Sequence, residues 1–207
     1  MLNKIRDYLD FAGLQYRNPD KSGNEREKML AFRHKGQEAR KAFTELAKAF
    51  QVRHPEWQLQ QTSQWMNQAQ RLRPHFWVYL QRDGQVTEPM LALRLYGNPS
   101  DFGISLEVSF IERKKDEQTL GKQVKVLEIP TVEGIYYLVY SDDQSQRWDA
   151  NEENRQILRN KLSNQEVRKV LVKIDVPITE NSSEEEIVEA LLKSYDKILP
   201  FYLATRN

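Results

Sequence analysis

Eight residues that can do chemistry on a polyanion fall between positions 65 and 82: Trp65, Arg71, Arg73, His75, Phe76, Trp77, Tyr79 and Arg82. Guanidinium groups neutralise phosphates, and aromatic rings stack on bases that have left a duplex or never joined one. In an extended segment alternate side chains share a face. Phe76, Val78 and Leu80 would then point one way, and Trp77, Tyr79 and Gln81 the other. At least one of these faces must be core, and core aromatics need no ligand. The cluster therefore fits either a nucleic-acid groove or a packed interior.

Other reactive patterns are scarce. The sequence has no P-loop motif, no GxGxxG, no GxSxG and no HExxH, which argues against P-loop nucleotide hydrolysis. His34, His54 and His75 are far apart and have no cysteine or acidic cluster beside them, so neither a metal nor a cofactor is expected. Pro99-Ser100-Asp101 followed by Glu112-Arg113-Lys114 resembles the PD…ExK arrangement of metal-dependent nucleases. In such a site both carboxylates bind one metal, with oxygens about 4–5 Å apart. Residues 102–112 read as a single strand, whose ends at about 3.3 Å per residue lie on the order of 35 Å apart. A nuclease built on Asp101, Glu112 and Lys114 would need a bulge or hairpin there.

The elements that must position these residues follow from hydrophobic period. Leu2, Ile5, Leu9 and Ala12 lie on one face of a helix over residues 2–12, ended by Gly13. Asn24 suits the N-cap of a second helix, where Met29, Phe32, Gly36, Ala39, Phe43, Leu46 and Phe50 alternate at three- and four-residue steps. Gly36 and Ala39 would admit the close approach of another backbone. From residue 57 the period becomes alternating. Strands are expected over 76–80, 90–96, 102–112 and 135–140, with Asp83-Gly84 as a turn between the first two. In the third, Ile104, Leu106, Val108 and Phe110 alternate with Ser105, Glu107 and Ser109, which predicts one wetted face and an antiparallel meander. Residues 113–121 read as loop or short helix. A charged helix over 152–162 is capped by Asp149 or Asn151, and a strand over 167–176 ends at Pro177. Ser182 and Ser183 stand three residues before Glu185 and Glu186, opening a last helix that buries Ile187, Leu191, Tyr195, Ile198 and Tyr202 and is kinked or frayed by Pro200. The fold class is α+β: a mostly antiparallel curved sheet of about five to six strands, flanked by N-terminal helices and a C-terminal helix, in a single domain.

Composition bounds the setting. The 207 residues include no cysteine, which excludes disulfides and thiolate metal sites and favours a reducing compartment. The charged first residues are unlike a signal core, and no apolar run is long enough to span a bilayer, so the reading is cytoplasmic with no membrane partner. Net charge is +1, but residues 1–82 carry 15 Lys/Arg against 8 Asp/Glu and residues 83–207 carry 16 against 22. Such a split suits a polyanion-binding face, and equally suits basic helices packed beside acidic ones.

Two stretches carry a family resemblance. Residues 74–80, Pro-His-Phe-Trp-Val-Tyr-Leu, lead through a short hairpin into residues 89–96, Pro-Met-Leu-Ala-Leu-Arg-Leu-Tyr, and Ala-Leu-Leu-Lys-Ser-Tyr-Asp-Lys-Ile closes the chain over 190–198. This order resembles the N-terminal DNA-binding domain of McrB-type modification-dependent restriction proteins, over about half the chain. The resemblance implies a domain that flips a modified base into an aromatic pocket, with Trp77, Tyr79 and Tyr96 as its first candidates.

The leading expectation is a non-catalytic nucleic-acid-binding domain that recognises a modified or flipped base in DNA or RNA. Trp77, Tyr79 and Tyr96 would stack, with His75 beside them, while Arg71, Arg73 and Arg82 hold the flanking phosphates. The alternative is a protein-interaction or regulatory module, pairing with an acidic partner or a second copy through the apolar stripe and the split charge.

Overall fold

The chain opens with the two helices that the apolar spacing predicts, in a computed structural model that describes residues 1–82, 86–141 and 144–206. The first, α1 (Leu2–Leu9), buries Leu2, Ile5, Tyr8 and Leu9. It stops short of residue 12, and Gly13 (φ +82°) turns the chain and donates its N–H to the Leu72 carbonyl. The second, α2 (Arg26–Val52), buries every residue of the expected stripe. Its start differs: Asn24 lies in a 3-10 turn, and Glu25 precedes the helix without a side-chain cap bond. At Gly36 the close neighbour is a side chain rather than a backbone, because a Cβ there would fall 2.6 Å from Cε3 of Trp65.

The described residues form one seven-stranded antiparallel sheet: β1 (Gln58–Leu59), β2 (Trp77–Gln81), β3 (Met90–Asn98), β4 (Asp101–Ser109), β5 (Ile135–Ser141), β6 (Gln144–Asp149) and β7 (Lys169–Ile178), in the order β1-β2-β3-β4-β7-β5-β6. The count exceeds five to six because β1 is two residues long and β6 is polar except for Trp148, so neither shows an alternating pattern. The expected Asp83-Gly84 turn lies outside the described residues. β7 continues through Pro177, past the expected stop. β5 begins opposite Ile174, so at Pro177 the strand is already an edge on that side and the missing N–H breaks no ladder bond.

Three further helices complete the fold. The unassigned polar stretch turns into α3 (Glu117–Gln123), capped by Asp116. α4 (Glu152–Ser163) is capped by Asn151, and α5 (Glu184–Ala204) by the Ser183–Glu186 capping box. α5 runs on past Pro200 for another turn. α1, α2 and α5 pack on one face of the sheet, where the cross-strand rows Val78–Leu93–Leu106–Ile174 and Leu80–Leu91–Val108–Val172–Tyr137 form the core with Phe43, Phe76, Leu191 and Ile198. No helix among the described residues is long and apolar enough to cross a membrane.

The opposite face corrects one expectation. Ser105, Glu107 and Ser109 point away from the helices as the alternation requires, yet they are 0%, 0% and 3% exposed. Their own face covers them, through the long side chains that flank them on β2, β3, β5 and β7.

Candidate nucleic-acid interface

Register assembles this second face. One row runs Trp77–Arg94–Ser105–Asp175, and the next Tyr79–Ala92–Glu107–Lys173–Tyr136. At its centre the fully buried Glu107 accepts from Arg94 Nε (3.1 Å) and Nη2 (2.9 Å) through Oε1. Lys173 Nζ stands 3.0 Å from Oε2 as an ion pair without hydrogen-bond geometry. Burial alone would push the Glu107 carboxyl up. The charges of Arg94 and Lys173 outweigh it and hold the group at about 2. The Arg94 guanidinium is itself raised by Glu107 against the effect of burial.

Trp77 is half-buried beside this network. Ser63 fixes its backbone, accepting from its N–H through Oγ (3.1 Å) and donating to its carbonyl (2.9 Å). Two guanidinium groups lie over the indole, Arg73 at 4.6 Å and Arg94 at 5.3 Å from the ring centre. Arg73 is placed by its own backbone: its N–H donates to the Trp65 carbonyl (2.9 Å), and its carbonyl lies 2.9 Å from the Tyr8 hydroxyl. Its side-chain Nε is buried with no partner. Tyr79 donates its hydroxyl to the Phe110 carbonyl (3.1 Å), and burial pushes its phenol up.

A cavity of about 400 Å³ opens between these groups, lined by Arg73, Trp77, Tyr79, Arg94, Ile111, Glu112 and Arg113. Glu112 is held by Lys115, by Lys169 Nζ (2.7 Å) and by Arg168 (3.0 Å). Those contacts depress its carboxyl to about 2 against a burial that opposes ionisation. Two carboxylates thus serve five cations, and Arg73 and Arg113 add two more guanidinium groups with no carboxylate partner among the described residues. Guanidinium groups without a carboxylate partner, set beside an indole, are chemically suited to anions and planar rings.

The predicted residues divide. Arg73, His75, Trp77 and Tyr79 come together. Burial first, then the charges of Arg94, Lys173 and Arg73, hold the His75 imidazole at about 4, so it is neutral at pH 7. Tyr96 shares the face two residues beyond Arg94. Its ring lies over Gly103, where a Cβ would fall 2.5 Å from the hydroxyl, and burial with the Asp175 charge pushes its phenol up. Arg71 does not join them: it pairs as a bridge with Gln15, and its Nη1 donates to the Gly13 carbonyl (3.1 Å). Arg82 follows the far end of β2, exposed, on the side of Glu56 and Tyr195.

Sequence reasoning missed Arg94, Glu107, Arg113 and Lys173. An arginine inside the run Leu91-Ala92-Leu93-Arg94-Leu95 was the one available signal, since a charge there needs a partner. The charge split along the chain misled, because most of the site's cations come from the acidic half.

The nuclease geometry is not formed. Asp101 opens β4 and Glu112 follows its end by three residues, which reach back at most about 11 Å. The nine-residue strand between them spans roughly 26 Å. No group of three or more metal-binding side chains gathers among the described residues. No protein-family model matches the chain, and no curated protein or solved structure matches it either. The chemistry of the site is therefore the basis for assigning a function.

Proposed function

We propose that this protein is a cytoplasmic, non-catalytic nucleic-acid-binding domain that takes one unstacked nucleotide into the cavity on its helix-free sheet face. One observation carries the reading: Trp77 and Tyr79 border a cavity of about 400 Å³ together with the guanidinium groups of Arg73, Arg94 and Arg113. That volume lies at the lower end of small-ligand sites, suited to a single nucleotide and too small for a duplex. Arg94 is locked to Glu107 and serves as a fixed wall. Arg73 is held by no carboxylate, so a base that stacks on Trp77 displaces it toward the phosphate. Extruding a base costs a few kcal/mol, least when it is unpaired or damaged. Stacking on an aromatic ring returns about 1–3 kcal/mol. The McrB-type resemblance favours the same kind of site, including a modified base as its occupant.

The test is fluorescence anisotropy of labelled single strands and duplexes, with and without modified cytosine, across a salt series. Binding that weakens steeply with salt and favours unpaired or modified substrates is expected. No binding at low salt would overturn the reading.

A further inference from the structure

We infer that the groove between the second half of α2 and the sheet edge β1 is a docking site for an extended acidic peptide, which joins the sheet as an eighth strand. This surface is separate from the nucleotide cavity and does not depend on it.

The edge has the required hydrogen-bonding pattern. Gln58 and Leu59 pair with Gln81 and Leu80, and the Gln60 N–H continues the ladder to the Tyr79 carbonyl (2.8 Å). In an antiparallel pair alternate residues turn their N–H and C=O to opposite sides. With Gln58 and Gln60 facing β2, the backbone groups of Leu59 and Gln61 face outward, and no partner for them occurs among the described residues. α2 satisfies the backbone on either side of this gap. Gln51 Nε2 donates to the Trp57 carbonyl (2.9 Å), while Arg40 donates to the carbonyls of Thr62 (2.8 Å) and Ser63 (2.9 Å). The free stretch is thus bounded, with two N–H and two C=O groups about 6.6 Å apart, the spacing of residues i and i+2 in a strand.

The groove beside it has a volume of about 620 Å³. Its cations are Arg40 and Lys48, and no carboxylate lines it. Val52, 70% exposed, supplies an apolar contact at its mouth. Alternating donors and acceptors match another peptide strand. They do not match a phosphodiester, whose oxygens the two outward carbonyls would repel. The positive lining selects acidic side chains on that strand.

The probe is a fluorescein-labelled peptide of about eight alternating Glu and Val residues, long enough to form a strand, titrated into the full chain and followed by anisotropy and amide hydrogen exchange. Binding is expected with slowed exchange over residues 57–63, and Lys48→Glu should weaken it by about tenfold. Gln61→Pro removes one outward N–H without touching the ladder to β2 and should weaken it similarly. If that variant fails to fold, the same peptide N-methylated at alternate residues removes the complementary donors and should not bind. The proposal fails if the acidic peptide shows no binding at about 1 mM, if a Lys-Val peptide binds equally, or if Lys48→Glu and N-methylation have no effect. It also fails if oligothymidylate gives the same protection, or if the protein self-associates through this edge in sedimentation and Lys48→Glu abolishes that in place of peptide binding.

Discussion

The two faces of the sheet are held by opposite physics. Beneath the helices, rows such as Val78–Leu93–Leu106–Ile174 are aliphatic and fully buried, and their stability comes from area removed from water. On the other face, Glu107 is as deeply buried as Leu106, but its neighbours are Arg94 and Lys173. A buried ion pair returns little net stability, because desolvation consumes most of its Coulomb energy. The second face therefore spends stability on holding charges in fixed positions. That is the arrangement a binding surface requires, with donors already oriented before a ligand arrives.

The largest expected effect separates the two faces directly. Glu107→Leu should cost about 3–5 kcal/mol in urea unfolding, because Arg94 and Lys173 are left buried without their counter-charge. Combining it with Arg94→Met and Lys173→Met should recover most of that loss, since an apolar row of similar volume replaces the network. On the helix side, Leu106→Ala should cost about 2–5 kcal/mol through its cavity, and no polar partner change would restore it. If the triple variant were no more stable than Glu107→Leu alone, the second face would owe its stability to the charges after all.

Acid should weaken the second face in two steps, while the aliphatic rows beneath the helices carry no group that titrates in acid. The His75 imidazole falls from its ordinary 6.5 to about 4 in the folded chain, so the unfolded chain binds the proton first. Its contribution is present above about 6.5 and is lost as pH falls toward 4. Glu107, lowered from 4.5 to about 2, contributes above 4.5 and loses that contribution as pH falls toward 2. Stability measured by urea across pH 7 to 2 should decline in two stages. His75→Gln should remove the first stage, and Glu107→Gln should shrink the second, which Glu112 shares. Because the Glu107 charge favours protonation of His75, the Glu107→Gln variant should also deepen the first stage.

How much of this was legible in the sequence depends on whether the signal is local. The α2 stripe and the Ser183–Glu186 box are short-range patterns, and both formed as read, although α2 begins at Arg26 without the Asn24 cap. The split of β2 into a core side with Phe76, Val78 and Leu80 and an outer side with Trp77 and Tyr79 follows from period alone. Ser105, Glu107 and Ser109 show the opposite case. Their alternation is that of a wetted strand, and their burial depends on Arg94, Lys173 and Tyr136 arriving from three other strands. Pairing register between distant segments has no local signature. β6 escaped for the complementary reason, since an edge strand whose one apolar residue is Trp148 has no alternation to read.

Binding sharpens the comparison further. Trp77→Ala should lower affinity for single strands by about 1–3 kcal/mol, the value of one stacked base, without altering the urea midpoint as Leu106→Ala does. The smallest effect is the most discriminating. Arg71 and Arg73 are two residues apart and indistinguishable by charge, but the structure sends Arg71 to the Gly13 carbonyl and Arg73 to the face of Trp77. If the cavity is the site, Arg73→Ala should reduce the salt dependence of binding by about one phosphate's worth of counterion release. Arg71→Ala should leave the slope unchanged and shift affinity by no more than about twofold, roughly 0.4 kcal/mol. Equal losses from the two would mean that phosphates track along the exposed loop before β2, with diffuse charge rather than the fixed network on the second face responsible for attraction.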